Sequence, residues 1–152
     1  MITLTYDLVK DLSLEMVKAF RSIGFEPDEV VAISRGGLTP ATIFAKEFNV
    51  PCGVFFPQTR SLHLVSTNPK RILFVEDLIA KGRTFDLIRK VMTTYSGIEW
   101  DFAPILVDAD YEYDGVYGIK TKHWCVFPWE KIENVKEGDW GLFREGTAKY
   151  GD

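Results

Sequence analysis

The 152-residue chain is poor in the residues that staple or metallate small proteins: it has two cysteines and two histidines. Cys52 and Cys125 lie far apart with no ligand-spaced neighbours. That excludes a disulfide scaffold or zinc motif and fits buried or half-buried thiols in a reducing compartment. His63 and His123 lack metal partners at useful spacing and read as surface or packing residues. Positive charge is not in excess, since 18 Lys and Arg face 22 Asp and Glu for a net charge of −4. This excludes a global basic field for nucleic acid. No apolar run is long enough for a membrane span, and the opening MITLTYDLVKDL carries acids early. Neither a signal peptide nor a membrane span is therefore expected, and the cytoplasm is the expected location. No repeat, low-complexity tract or Pro/Gly/Ser linker divides the chain, so one domain over residues 1–152 is expected. Two phosphate-binding signatures are also missing. GxxxxGK[ST] does not occur, and SRGGL is not GxGxxG, so neither an NTPase loop nor a Rossmann dinucleotide site is supported.

What is there reads as an α/β protein. Four short apolar runs, at 30–33, 53–56, 72–75 and 103–107, are rich in β-branched and aromatic residues and bounded by turn residues or charges. Strands covered on both faces look like this. Between them lie helical spacings: Leu8, Leu12, Met16, Val17 and Phe20; then Ala41, Phe44, Ala45 and Phe48 behind Pro40; then Phe85, Ile88, Val91 and Met92 after Gly82. Strands alternating with helices predict a central, mainly parallel sheet flanked by helices, with ligands at the carboxyl ends of the strands. From about residue 108 the chain turns acidic and aromatic (DADYEYDGVYG), then carries two tryptophans around a proline (KTKHWCVFPWEK). This predicts a late strand and a small C-terminal hood over the ligand end, at 108–135. In the polar tail at 136–152, Trp140, Leu142 and Phe143 are expected to tuck back onto the domain.

The strand ends carry the chemistry. The run at 72–75 delivers two adjacent carboxylates, Glu76 and Asp77, to the sheet edge. Gly82, Arg83 and Thr84 then open a helix expected to start near Phe85. A helix N-terminus behind a glycine offers N–H groups and a positive dipole end to a phosphate, and the Thr84 hydroxyl adds a donor. An acidic pair alone is an ordinary turn, and a glycine alone an ordinary cap. Strand, acidic pair, spacer, Gly-x-Thr and helix in that order is uncommon. It suits a ribose 5-phosphate, with its phosphate at one end and its diol at the other. The second signal is Ser34-Arg35-Gly36-Gly37 after the run at 30–33. Its paired glycines expose backbone N–H groups, and its guanidinium suits polyphosphate oxygens.

Residues 71–84, RILFVEDLIAKGRT, resemble the phosphoribosyl pyrophosphate (PRPP) signature of type I phosphoribosyltransferases. Residues 31–46, VAISRGGLTPATIFAK, resemble the pyrophosphate turn and following helix of the bacterial xanthine-guanine enzymes, and LTYDLVKDL is similar to their N-terminal helix entry. HWCVFPWE at 123–130 resembles their base-capping segment. The resemblance implies an Mg²⁺-dependent enzyme that transfers ribose 5-phosphate from PRPP to a nucleobase, with a 6-oxopurine favoured, and releases pyrophosphate. The alternative is a PRPP- or nucleotide-binding regulator without turnover. Under the resemblance Glu76 and Asp77 would hold the ribose hydroxyls, directly or through Mg²⁺. Ala80, Lys81, Gly82, Arg83 and Thr84 would hold the 5-phosphate. Ser34, Arg35, Gly36 and Gly37 would hold pyrophosphate, across a cis peptide. Trp124 would stack on the base, the Cys125 carbonyl would read its edge, and Arg60, on a flexible loop, would close over the leaving group. A homodimer or homotetramer is implied as well.

Two positions depart from the 6-oxopurine pattern. That subgroup places an Asp where this chain has Ala80, and a small Thr where it has Lys81. It also places a carbonyl-gripping Lys where the nearest residue here is Asp108. A carboxylate at 108 would suit an amino group or ring N–H; otherwise Asp108 and Asp110 simply begin an acidic turn.

Overall fold

A computed structural model describes residues 2–130. Residues 131–135 of the expected hood, and the tail with Trp140, Leu142 and Phe143, lie outside the described residues. A two-residue strand, β1 (Ile2–Thr3), leads into α1 (Tyr6–Ser22). The Thr5 hydroxyl caps α1 by accepting from the Leu8 N–H at 3.1 Å, a bond of the kind that contributes about 1 kcal/mol. β2 (Glu29–Ile33) is buried along its whole length. α2 (Leu38–Phe48) follows with Pro40 in its first turn, where the missing N–H costs nothing. Then come β3 (Cys52–Phe56), β4 (Ser61–His63), β5 (Arg71–Ile79), α3 (Arg83–Met92), a 3₁₀ turn (Thr93–Tyr95), β6 (Glu99–Asp108), β7 (Ile119–Thr121) and β8 (Cys125–Val126).

The main sheet has the order β4-β3-β2-β5-β6-β7, parallel except for β4, which pairs antiparallel with β3. Strand alternation builds two buried layers. Val30, Ala32, Leu73 and Val75 join Val9, Phe20 and Phe44 of α1 and α2. Val31, Ile33, Ile72 and Phe74 join Ile88 and Met92 of α3. The side-chain period of two thus feeds both faces of one sheet. Each fully buried Phe or Leu contributes about 1.5–3 kcal/mol. From β2 the chain crosses to β3 on one side and later returns as β5 on the other. The carboxyl ends of β2 and β5 therefore flank a topological switch point, where open α/β sheets form their ligand crevices.

Three expectations change. The third predicted strand does not stop at Val75. It continues through Ile79, pairing as far as Ile79↔Val107, because β6 also runs on to Asp108 and keeps the ladder going. Glu76 and Asp77 are thus strand residues rather than the start of a loop. α3 begins at Arg83, two residues before Phe85, because Gly82 takes a left-handed conformation (φ 79°) that turns the chain directly into the helix. Arg60, expected on a loop between the second and third predicted strands, sits in the turn closing the β3–β4 hairpin, because an additional short strand, β4, pairs back on β3. The Arg60 N–H reaches the Pro57 carbonyl at 3.3 Å. Among the described residues no helix is long and apolar enough to cross a membrane.

Candidate active site

The turn after β2 is held tightly. The Ser34 N–H donates to the Phe55 carbonyl of β3 at 3.0 Å, and the Gly37 N–H donates back to Ile33 O at 2.8 Å. The Ser34–Arg35 peptide is cis, as the resemblance implied. Gly37 lies against backbone: a Cβ there would stand 2.8 Å from Ile33 O and 2.9 Å from Ile33 N, and would also collide with Val75 O of β5. Gly36 lies against a side chain. A Cβ there would collide with the carboxylate of Asp77, whose Oδ1 would be 2.5 Å away. The turn from β2 and the acidic pair of β5 therefore meet at the switch point, with Arg35 exposed beside them.

Glu76 is only 8% exposed. Its Oε1 accepts from the Asp77 N–H at 3.0 Å, which fixes one carboxylate while Asp77, half-buried, faces the Gly36 turn. Beyond them Ala80 and Gly82 are buried, Lys81 and Arg83 are exposed, and Thr84 is half-buried. No side-chain cap bond closes the start of α3; its first internal bond runs from Asp86 N to Gly82 O at 2.9 Å. A left-handed glycine, the first turn of a helix and cationic side chains on the loop are an arrangement that can hold a phosphate.

Asp108 ends β6 at the same edge of the sheet. Its Oδ1 accepts from Asp110 N at 2.9 Å and its carbonyl accepts from Tyr111 N at 2.9 Å, so the acidic segment does form a compact turn. That turn carries Tyr111 onto the loop that opens α3. A Cβ on Gly82 would lie 2.6 Å from Tyr111 Cε2 and 2.7 Å from Cζ, so the ring rests on the glycine. Nothing in the sequence signals this contact. Further back, the Tyr113 hydroxyl donates to Phe102 O at 2.8 Å. Burial first, then the nearby Asp101 and Asp114 carboxylates, push its ionisation well above the ordinary tyrosine range.

In the hood, Trp124 and Cys125 border a second, two-stranded parallel sheet formed by β1 and β8. The Trp124 and Val126 carbonyls accept from Ile2 N and Leu4 N at 2.7 and 2.8 Å. Strand alternation then directs the Cys125 carbonyl away from β1. Cys125 belongs to the same buried cluster as Leu78 and Ala80, which ties the hood to the end of β5. Trp124 exposes only 6% of its surface, so a base stacked on it requires neighbouring groups to move aside. Trp129 packs instead, stacking on Phe127 at 4.8 Å between ring centroids and meeting Tyr6 at 6.3 Å. Arg60 lies in the turn after β3, at the same sheet edge as the Gly36 turn.

Glu29 was not singled out from the sequence. Fully buried at the opposite end of β2, it accepts from Val65 N at 2.8 Å and Ser66 N at 2.7 Å and anchors the segment before β5. A hollow lined by Asn68, Lys70, Arg71 and Glu99 also lies at that opposite edge. An Arg71–Glu99 ion pair of 2.9 Å occupies its rim, and no switch-point loop reaches it. No group of three or more His, Cys, Asp or Glu residues able to hold a metal occurs among the described residues.

No family model matches the sequence. A curated relative, the xanthine-guanine phosphoribosyltransferase of Ruegeria sp. strain TM1040, is 27% identical over 137 residues, covering 74% of this chain and 76% of that protein. Among solved structures, a purine phosphoribosyltransferase from Pyrococcus horikoshii superposes with a TM-score of 0.76 at 21% identity, covering 90% of this chain and 98% of that one. The Helicobacter pylori xanthine-guanine-hypoxanthine phosphoribosyltransferase gives a TM-score of 0.71 at 18% identity, covering 88% and 95%. The chain has the type I phosphoribosyltransferase fold. In sequence it resembles the xanthine-guanine phosphoribosyltransferases, the likeness already legible at 31–46, 71–84 and 123–130.

Proposed function

We propose that the protein is a phosphoribosyltransferase that moves ribose 5-phosphate from PRPP to a purine base, with a 6-oxopurine favoured, and releases pyrophosphate. The observation that carries this reading is the close approach of the Gly36 turn to the Asp77 carboxylate at the β2/β5 switch point. It brings the turn that would take pyrophosphate beside the acid that would take the ribose diol, with a helix-opening glycine a few residues past the end of the same strand. In the reaction the bond from C1 of the ribose to the pyrophosphate oxygen breaks, and a ring nitrogen of the base forms the new bond to C1. Glu76 and Asp77 would hold the ribose hydroxyls, and the N–H groups of the 80–84 loop would hold the 5-phosphate. Arg35 and the backbone of Gly36 and Gly37 would stabilise the charge growing on the leaving group, with Arg60 reaching in from the hairpin turn. The Asp77 carboxylate at the Gly36 turn, with Glu76 beside it, would suit Mg²⁺, which takes one or two protein oxygens and completes its shell with phosphate and water. When bound, it would supply charge neutralisation on the pyrophosphate.

Base choice rests on Trp124, the Cys125 carbonyl and Asp108. The named relatives support a purine. Ala80 and Asp108 depart from the 6-oxopurine pattern and widen the choice toward bases that present an amino group or ring N–H. A cytoplasmic salvage role and a homodimer or homotetramer belong to the same reading. The test is to mix the protein with PRPP, Mg²⁺ and a panel of nucleobases and to measure pyrophosphate. Base-dependent release is expected. PRPP binding without release for any base would replace the enzyme with a nucleotide-binding regulator, and no PRPP binding would remove both.

A further inference from the structure

We infer that Tyr111 is a positioning residue for the 5-phosphate loop, a role that rests on the phosphoribosyltransferase reading above. Its ring sits where a Cβ on Gly82 would be, 2.6–2.7 Å from that point at Cε2 and Cζ, so it is in van der Waals contact with the glycine that opens α3. Gly82 holds a left-handed conformation and is buried, although Lys81 and Arg83 on either side of it are exposed. Tyr111 reaches this glycine from the turn after β6.

The residue is in turn fixed by the turn after β6. Its N–H donates to Asp108 O at 2.9 Å, Asp110 N binds Asp108 Oδ1 at 2.9 Å, and Ala109 N binds Thr121 O of β7 at 3.1 Å. The aromatic contact therefore links the phosphate loop at the end of β5 to the β6–β7 segment that leads into the hood. A shift of the 108–111 turn would be felt at Gly82. The small residue at 82 and the large ring at 111 form one fitted pair. Preorganising a phosphate loop in this way matters because a displacement of about 1 Å at a binding group costs up to about a hundredfold.

The test compares Tyr111→Ala and Tyr111→Phe for binding of ribose 5-phosphate and, separately, of inorganic pyrophosphate with Mg²⁺, both by titration calorimetry. Ribose 5-phosphate probes the 80–84 loop, whereas pyrophosphate probes the turn after β2. Tyr111→Ala is expected to weaken ribose 5-phosphate about tenfold while pyrophosphate affinity stays within about twofold, and Tyr111→Phe, which keeps the ring, is expected to restore ribose 5-phosphate binding. In turnover Tyr111→Ala should raise KM for PRPP more than it lowers kcat. If Tyr111→Ala does not fold, Tyr111→Leu is used, with loss in the same direction. Unchanged ribose 5-phosphate affinity, or equal loss for both ligands, overturns the positioning role and leaves the phosphoribosyltransferase reading intact. A wild-type chain that binds no ribose 5-phosphate overturns both.

Discussion

Adjacent glycines at 36 and 37 face different neighbours, and alanine at each should fail in a different way. A Cβ at Gly36 would collide with both carboxylate oxygens of Asp77, the farther of which, Oδ1, would stand 2.5 Å away and already about 1 Å inside ordinary contact. The obstacle is the end of a side chain, which can swing to a poorer rotamer at a cost of about 0.5–1.5 kcal/mol. For a chain of this size that corresponds to a fall in Tm of about 1–6 °C. The Gly36→Ala protein should therefore fold. Its Asp77 carboxylate, however, is pushed out of the crevice by about 1 Å, a displacement that costs a binding or catalytic group on the order of a hundredfold. At Gly37 the obstacles are Ile33 N, Ile33 O and Val75 O, all backbone atoms of paired strands. Relief there means parting β2 from its turn, and overpacking of this kind costs about 1–3 kcal/mol or more. Thermal melting and PRPP-dependent pyrophosphate release, measured on both variants, separate the two. Gly36→Ala should keep most of its Tm and lose turnover, while Gly37→Ala should lose Tm first. Wild-type turnover in Gly36→Ala would refute the Gly36–Asp77 juxtaposition as the heart of the site, and a wild-type Tm in Gly37→Ala would refute the backbone clash.

Glu29→Gln replaces a buried carboxylate that accepts two backbone N–H bonds with an amide that also presents donors. A loss of about 1–3 kcal/mol is expected, with faster hydrogen exchange at Val65 and Ser66; unchanged exchange there would show that the carboxylate is not the anchor. Burial raises the Asp101 pKa, outweighing the Phe102 N–H bond that lowers it, with Glu99 adding to the rise. The folded state thus holds this proton more tightly than the unfolded chain. Its contribution to stability falls as pH climbs from the unfolded value, about 3.9, through the raised folded value. Asp101→Asn should remove that decline, so its urea-derived stability relative to wild type should grow with pH across the window; parallel curves would discount the burial cost. If Asp108 reads the base, Asp108→Lys should shift preference in the nucleobase panel toward carbonyl-bearing purines, and an unshifted panel would leave Asp108 as the turn residue its bond to Asp110 N makes it.

The sequence by itself determined what depends on neighbours along the chain. Continuous apolar runs in β2 and β5 foretold a sheet covered on both faces. Met16, Val17 and Phe20 of the expected spacing do pack inward from α1, whereas Leu8 is exposed and Val9, next to it, is the buried residue. A glycine followed by Arg83 and Thr84 marked the start of α3 to within two residues. Strand lengths were less legible: carboxylates at 76 and 77 look like a loop until β6 is known to run alongside them as far as Asp108. Only the tertiary structure decided which loops touch. Glu29 reaches Val65 across 36 residues of sequence, β1 pairs with β8 from the far end of the described chain, Gly36 meets Asp77, and Tyr111 lands on Gly82. Such contacts leave no periodic trace, because each is set by how strands are ordered in the sheet rather than by the residues beside it. The sequence could therefore name the candidate site residues, while the strand order, with β5 returning beside β2, determined that Gly36 and Asp77 would share one crevice.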